Sequence, residues 1–262
     1  MQFVSYMSPG FPPSLFELLA REMGAEVHFE TATSGPPAGI DPFRDGTFDL
    51  GWICSTSFVD LALRHEHPSV QIAGVAWVPD DPDADGRPVY FGDLVVRGDD
   101  DRIHSVADLA GLRVGCNDIV SLSGHYALRF AIEDLHEDPD RFADLVFTGG
   151  HHRSLDALVA GDVDAAVVDS VVRIGRGRHD SAVADLRVVE RLGPWPVQPL
   201  VARSEMDEAD LARLRAALLA ANDDPRVRAE LDAAALTRFV EVGPDHYAGV
   251  RDAMERGGVA GP

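Results

Sequence analysis

The chain has 262 residues, of which 45% are hydrophobic, and this is enough to bury a core in one large domain or in two lobes. Its formal net charge is −21 and all its basic side chains are arginines, so nucleic acid and anionic membranes would repel it and are not expected partners. No run of about 18 apolar residues is present, so membrane insertion is not expected either.

Strand and helix patterns alternate along the first third of the chain. The predicted strands are FVSYM, EVHFETAT, FDLGWIC and VQIAGVAWV. A helix over PSLFELLAREMG ends at Gly24, and a second helix begins near Ser57. Strands that alternate with helices indicate a mainly parallel sheet that is covered on both faces.

A second alternating series follows the long predicted strand VYFGDLVVRG. Its predicted strands are RVGCN, DLVFTGG and VDAAVVDS, and its predicted helices are SVADLAG, SGHYALRFAIEDL and HHRSLDALVAGD. Residues 173–179, RIGRGRH, are predicted to form a solvated surface turn. Two extended segments, LRVVERLG and QPLVARS, then lead to three helical patterns, DEADLARLRAALLAAN, VRAELDAAAL and HYAGVRDAMERG.

Two α/β series in one chain predict two lobes. Extended segments near 88–97 and 188–201 would be the crossings between them. Lobe one is then expected to hold residues 1–90 and 195–262, and lobe two residues 91–194. A cleft between such lobes is a natural ligand site, because strand ends and helix N-termini point into it.

The most informative stretch is SLSG, residues 121–124, which opens a helical pattern that has no acidic residue in its first turn. A helix N-terminus presents unpaired N–H groups and about half a positive charge. Ser123 stands where an N-cap is expected, Ser121 adds a hydroxyl, and Gly124 lets a ligand approach the backbone closely. This neutral set of donors suits a tetrahedral oxyanion. The alternative is an ordinary serine N-cap, whose own oxygen satisfies the N–H groups.

Two more candidates follow other predicted strands. His151 comes after Gly149-Gly150 at the start of a helix and would face the same cleft; the alternative is a surface histidine. Asp169 ends the buried strand DAAVV, where a carboxylate often lines a crevice; the alternative is a cap or turn residue.

Other reactive side chains form weaker patterns. Cys54 and Cys116 are expected to be buried thiols, with a disulfide or a reactive thiol as the alternative. A metal site needs three or four converging ligands, whereas the sequence offers the pairs in RHEHP, residues 64–68, and His151-His152, so no metal is expected. Serine, histidine and aspartate could also serve nucleophilic catalysis, but serines in a helix-opening turn suit anion binding at least as well.

Together these stretches resemble the phosphate/phosphite/phosphonate class of ABC-transporter substrate-binding proteins. The matching residues are GRPVYFGDLVVRGDDDRIHSVADLAGLRVGCND, SLSG and TGGHHRSLDALVAGDVDAAVVDS, while FDLGWICSTSFVDL fits less closely. The resemblance implies the type II periplasmic-binding-protein fold, an α/β fold of two lobes with a hinge and an inter-lobe ligand cleft.

The resemblance also implies which residues bind the ligand, since the family's Ser-x-Ser-Gly turn holds the phosphonate or phosphate group. The implied ligand contacts are Ser121, Leu122 through its backbone, Ser123, Gly124, Tyr90, His151 and Asp169 in lobe two, and Ser55, Thr56, Ser57 and Phe58 in lobe one. Asp169 can meet an ammonium group in amine-bearing phosphonate binders. Two positions depart from the family pattern: Gly92 replaces a frequent serine, and Phe58 replaces a frequent tyrosine.

We therefore expect a substrate-binding protein, without a cofactor, that captures a small anionic or zwitterionic ligand such as a phosphonate, phosphate or phosphate ester. Its partner would be the permease of an ABC-type uptake system. The family is periplasmic or extracytoplasmic, whereas the N-terminal sequence shows neither a basic region nor a long apolar region, so a cytoplasmic location is an alternative. A cytoplasmic enzyme of the same fold in cofactor-precursor biosynthesis, or a cytoplasmic ligand sensor, is the alternative function.

Overall fold

The computed structural model describes residues 1–8, 10–37, 39–63 and 66–256. In chain order the strands are β1 (Gln2–Ser5), β2 (Glu26–Phe29), β3 (Leu50–Trp52), β4 (Val70–Ile72), β5 (Val75–Pro79), β6 (Val89–Val96), β7 (Arg113–Cys116), β8 (Asp144–Phe147), β9 (Ala165–Asp169), β10 (Arg187–Pro196), β11 (Leu200–Arg203) and β12 (Leu236–Glu241). The α-helices are α1 (Pro13–Met23), α2 (Ser55–Phe58), α3 (Ala127–Asp134), α4 (Pro139–Phe142), α5 (His151–Ala160), α6 (Ser170–Gly177), α7 (Ser181–Ala184), α8 (Glu208–Ala220), α9 (Pro225–Ala233) and α10 (Ala248–Arg256).

The chain divides into two compact units, which we call unit 1 (residues 1–89 and 196–262) and unit 2 (residues 90–195). Unit 1 contains a five-stranded sheet in the order β2-β1-β3-β11-β4. Strand β1 is parallel to β2 and β3, whereas β11 is antiparallel to both of its neighbours. A separate antiparallel pair joins β5 to β12.

The core of unit 1 is aromatic. Trp52 of β3 and Trp77 of β5 are fully buried and stack with ring centroids 4.2 Å apart. Helix α1 buries Phe16 against Trp52, at a centroid distance of 6.1 Å. Aromatic pairs of this kind add about 0.5–1.5 kcal/mol to the free energy gained by burying their area.

Unit 2 is built around the sheet β10-β6-β9-β7-β8, in which β7 is parallel to β8 and β9 and β6 is antiparallel to β9. Apolar clusters cover both faces: Leu94 and Val114 pack with Leu128 on one side, and Val95 packs with Leu155 on the other. Burial on both faces explains why the sequence of β9 is apolar without alternation.

One ionic cluster ties the elements of unit 2 together. Asp93 of β6 is fully buried and accepts hydrogen bonds from the Nε atoms of Arg173 in α6 and Arg191 in β10, at 2.6 and 2.8 Å. The guanidinium of Arg191 also lies over the Phe91 ring, 4.2 Å from its centroid. The cluster joins a helix and two strands through a single carboxylate.

Two sequence predictions about secondary structure were wrong, and one strand was missed. VQIAGVAWV is two strands, because Gly74 between β4 and β5 has a φ of +85°, which breaks the extended chain. Residues 173–177 of the predicted turn belong to helix α6, whose N-terminus is capped by Asp169. Strand β12 was not predicted; it pairs with β5 despite its charged residues.

Helices in the described ranges fall short of the length and apolar character that crossing a bilayer demands.

Candidate functional site

The fold brings the site residues predicted in unit 2 to one edge of its sheet. The parallel strands β7, β8 and β9 all end there, and each leads into a helix. Strand β6 runs antiparallel to β9, with Gly92 opposite Asp169, so Tyr90 at the start of β6 lies at the same edge. Segment 121–124, His151, Asp169 and Tyr90 are therefore neighbouring parts of a single carboxyl-terminal edge.

The segment 121–124 opens a continuous helix, which begins with a π-helical turn (Leu122–Tyr126) and continues as α3. Its N-cap is Ser121 rather than Ser123: the Ser121 Oγ accepts the Gly124 N–H at 3.1 Å, and the Ser121 carbonyl accepts the Tyr126 N–H at 3.0 Å. Ser121 and Ser123 are both buried, and the first turn contains no acidic residue. The capping interpretation thus applies to Ser121, whose hydroxyl hydrogen can still be donated elsewhere.

Two glycines let other elements pack directly against this turn. A Cβ at Gly92 would lie 2.4 Å from the Ser123 carbonyl oxygen, so a serine at this position would displace the turn. A Cβ at Gly124 would lie 2.0 Å from the Asn117 Oδ1 and 2.9 Å from the His151 Cε1. Gly92 therefore allows β6 to pack directly against the turn, and the Gly124 contact places His151 beside the turn.

His151 is the first residue of α5, and Gly150 at the N-cap supplies no side-chain cap. Its Nδ1 accepts the backbone N–H of Asp169 at 3.2 Å, which requires an unprotonated Nδ1. Burial, followed by the charge of His152, lowers the pKa of His151 to about 3. The imidazole is consequently neutral at physiological pH, and its remaining proton, on Nε2, makes that atom a hydrogen-bond donor.

Asp169 caps α6, as one of the two interpretations of the sequence had it. Its Oδ1 accepts the N–H groups of Val171 at 2.8 Å and Val172 at 3.3 Å, and the residue is buried. The carboxylate of Asp169 thus balances the partial positive charge at the N-terminus of α6. The helices that begin at Leu122 and His151, by contrast, have no acidic residue in their first turn.

The remaining predicted residues are also buried. Tyr90 is fully buried on the side of β6 that carries Gly92. In unit 1, Ser55, Thr56, Ser57 and Phe58 are buried and together form α2, directly after β3. The Ser55 hydroxyl donates to the Pro196 carbonyl at 3.4 Å, and the Phe58 ring packs edge-on against Tyr247.

Asn117 is a site residue that sequence reasoning missed. It follows β7, is buried, and places its Oδ1 against Gly124, while its Nδ2 donates to the Asp118 Oδ2 at 2.8 Å. Thr148 was missed as well. Its hydroxyl lies 2.7 Å from the Ser154 hydroxyl and fixes the start of α5. A polar residue immediately after a predicted strand was the available signal for both.

The sequence also offered two thiols and two histidine pairs as reactive side chains, and one of these pairs contains the site residue His151. Cys54 and Cys116 are buried thiols that are not joined by a disulfide, and the Cys54 sulfur accepts a hydrogen bond from the Thr56 hydroxyl at 3.3 Å. Burial, followed by the charge of Asp118, raises the pKa of Cys116 to about 12. Within the ranges that the structure describes, no three metal-ligating side chains converge. Of the histidine-containing stretch 64–68, Arg64 and His65 lie outside the described residues.

Comparisons with known proteins bear on the protein family of this chain. A family model described as "ABC transporter, phosphonate, periplasmic substrate-binding protein" matches residues 13–247. No curated protein matches the chain.

Solved structures with the same fold include a binding-protein component of an ABC phosphonate transporter from Pseudomonas aeruginosa, with a TM-score of 0.78 and 18% identity over 98% of this chain and 86% of that one. PhnD1 from Prochlorococcus marinus, solved in complex with methylphosphonate, gives a TM-score of 0.76 and 16% identity over 98% and 97% of the two chains. A Xanthomonas citri protein bound to ATP gives a TM-score of 0.72 and 19% identity over 98% of this chain and 97% of that one.

At these identities the structural likenesses establish the fold, and they confirm the predicted α/β, two-lobed type II periplasmic-binding-protein fold. The family match confirms the expected function class, a substrate-binding component of an ABC transporter, and gives no support to the enzyme alternative. Because the matching family model spans most of its length, the chain belongs to the family of periplasmic substrate-binding proteins of phosphonate ABC transporters.

Proposed function

We propose that the protein captures a small phosphonate, phosphate or phosphate ester and that the anionic group binds at the sheet edge of unit 2. The observation that carries this proposal is the contact between Gly124 and His151, which joins two helix N-termini that lack acidic residues. Each N-terminus carries a partial positive charge and stabilises an anion by about 0.3–1 kcal/mol at the surface, and by up to about 2 kcal/mol when partly buried.

Individual donors complete this anion site. The hydroxyls of Ser121 and Ser123 and the backbone N–H groups of residues 122 and 123 surround the anion, while the Gly124 N–H donates to the Ser121 Oγ and holds the turn in place. The Nε2–H of neutral His151 and the hydroxyl of Tyr90 add further donors. Since every one of these groups is uncharged, the site stabilises the anion by hydrogen bonds and helix dipoles rather than by ion pairing.

The organic part of the ligand is recognised by other residues. Asp169 offers a carboxylate charge to the positive group of a zwitterionic ligand such as an aminophosphonate. A phosphonate or a phosphate ester is consistent with the ligands of two proteins of the same fold, one bound to methylphosphonate and the other to ATP. The bound ligand would be passed to the permease of an ABC transporter outside the cytoplasm, as is normal for the family.

Isothermal titration calorimetry of the ligand-free protein tests this proposal. The panel contains methylphosphonate, 2-aminoethylphosphonate, phosphate, phosphite and sulfate. Ser123→Ala removes one hydroxyl donor to a charged group, which is worth about 1.5–3 kcal/mol and corresponds to roughly a 10- to 150-fold loss of affinity. Ser181→Ala is the matched control, because Ser181 also begins a helix of unit 2 but is exposed.

Equal affinities of the wild type and Ser123→Ala would contradict the placement of the anion. A wild type that binds none of the panel would contradict the proposed ligand class. Thermal shift gives an independent readout, since a ligand at 100 times its dissociation constant adds about 2.7 kcal/mol to the free energy of unfolding.

A further inference from the structure

Arg153 carries a positive charge at a position that disfavours one. It is the third residue of α5, after His151 and His152, and its side chain is exposed. The first turn of a helix has a partial positive charge, so a cation there is unfavourable unless an anion accompanies it. The chain has 44 acidic residues and 23 arginines, yet within the described ranges Arg153 has neither a hydrogen-bond nor an ion-pair partner. The fold therefore leaves this charge uncompensated.

Two other arginines in first turns of helices are compensated. Arg141 is also the third residue of its helix, α4, and its Nε lies 3.5 Å from the Oδ2 of Asp138, the N-cap of that helix. Arg226 in α9 likewise binds the carboxylate of its N-cap, Asp224, at 2.6 Å. The N-cap of α5 is Gly150, which has no side chain. Helix α5 thus lacks the acid that accompanies the arginines of the other two helices.

The nearest acid along α5 is already paired. Asp156, three residues after Arg153, is in position for a helical ion pair, but its Oδ1 accepts a hydrogen bond from the Arg176 Nη2 of α6 at 2.5 Å. The Nη1 of Arg153 lies 3.0 Å from the place that a Cβ would take on Gly149, so the side chain is folded over the loop before α5. A Cβ on Gly150 would meet no atom within 4 Å, which shows that this loop borders open space.

The loop connects the Arg153 guanidinium to the anion site. The Gly149 N–H donates to the Asn117 carbonyl at 2.8 Å, and the Asn117 side chain packs against Gly124 of the helix-opening turn. His151, two residues before Arg153, contacts Gly124 as well. All of these residues belong to unit 2. Arg153 is thus an accessible positive charge at the border of the anion site.

We infer that Arg153 binds a second anionic group of the ligand, a carboxylate or a second phosphoryl group, while the first anionic group occupies the anion site. This inference rests on the proposed function and narrows its ligand class to phosphonates and phosphate esters that carry a further negative charge. A guanidinium presents a planar fork of N–H donors that matches carboxylate and phosphate oxygens. The ligand would supply the anion that the N-cap of α5 does not, so its binding offsets the unfavourable charge in the first turn.

Calorimetry with methylphosphonate and phosphonoacetate tests the inference, because phosphonoacetate adds one carboxylate to the methylphosphonate framework. The wild type should bind phosphonoacetate about fivefold more tightly, which is the upper range for one exposed ion pair. Arg153→Gln should abolish this preference and leave the affinity for methylphosphonate nearly unchanged. Arg153→Lys keeps the charge without the planar fork and should retain part of the preference.

Arg141→Gln is the matched control, since Arg141 is also an exposed arginine at the third position of a helix in unit 2. This variant should keep the wild-type preference for phosphonoacetate. Salt gives an independent readout, because the Debye length falls from about 30 Å at 0.01 M to about 3 Å at 1 M ionic strength. The preference of the wild type should shrink over this range, whereas the relative affinities of Arg153→Gln for the two probes should stay constant.

The outcomes separate the inference from the proposed function. A wild type that binds methylphosphonate at least as tightly as phosphonoacetate, or an Arg153→Gln protein that keeps the preference, would overturn the inference alone. Binding of phosphate without binding of either probe would overturn it as well. A wild type that binds neither the two probes nor phosphate would overturn both. Loss of the preference in Arg153→Gln, with Arg141→Gln unaffected, is the expected result.

Discussion

Replacing Gly92 with alanine tests whether close packing of β6 against the 121–124 turn positions the anion site. The added Cβ would lie 2.4 Å from the Ser123 carbonyl oxygen, whereas ordinary contacts begin at 3.4 Å. The strand and the turn must therefore separate by about 1 Å, which is enough to lengthen hydrogen bonds from Ser123 to a ligand beyond their useful range.

Two effects change the free energy of unfolding of Gly92→Ala. Overpacking a close contact destabilises by about 1–3 kcal/mol, and the better strand propensity of alanine returns about 0.5–1 kcal/mol. A net loss of about 1–2 kcal/mol corresponds to a melting temperature lower by roughly 2–8 °C for a chain of this size. The affinity for methylphosphonate should fall by about tenfold or more.

Gly115→Ala in β7 is the matched control. Its new Cβ would meet the Val163 Cγ2 at 3.4 Å and the Ala166 Cβ at 3.5 Å, which are ordinary contacts. This variant should keep wild-type affinity, and its free energy of unfolding should exceed that of the wild type by up to about 0.5–1 kcal/mol. Differential scanning fluorimetry and calorimetry on the two variants give the comparison. A Gly92→Ala protein that melts and binds like Gly115→Ala would refute the argument that this contact positions the turn.

Other predictions concern charge and protonation. Asp93→Ala removes the shared partner of two arginines and should destabilise the protein by about 3 kcal/mol, whereas Asp140→Ala, which breaks an exposed pair, should cost less than about 1 kcal/mol; urea denaturation measures both. Burial lowers the pKa of His125 and lowers that of His151 to about 3, so below about pH 6.5 the unfolded chain binds protons that the folded chain does not. The free energy of unfolding should therefore fall as the pH drops from about 6.5 towards 3. His151→Gln should reduce that loss of stability. Asp169→Asn preserves the helix cap and should leave the melting temperature nearly unchanged, but it should weaken the binding of 2-aminoethylphosphonate more than the binding of methylphosphonate. Equal losses of affinity for the two ligands would exclude the proposed function of the Asp169 charge.

The local patterns at strand ends could be predicted from the sequence. Segment 121–124 does open a helix, His151 does begin one, and Asp169 does end a buried strand. These signals involve neighbours along the chain, such as a serine before an apolar helical pattern or glycines after a strand. They require no knowledge of what packs against them.

Features that depend on distant contacts could not be predicted. The π-helical first turn, which moves the cap from Ser123 to Ser121, has no sequence signature here. The contact of Asn117 with Gly124 is visible only once the loop between them has folded. Helix α6 forms over a glycine- and arginine-rich stretch because Asp169 caps it and Arg173 binds Asp93, and both are tertiary conditions.

The strand order of unit 1 has a consequence for how the chain folds as it is synthesised. Strand β11 lies between β3 and β4, so the edge of β3 has no partner until Leu200 has left the ribosome. All of unit 2, residues 90–195, is made in the meantime and can complete its own core first. The short apolar strand β3 thus keeps one open edge for much of translation, and we expect a holding chaperone to shield that edge.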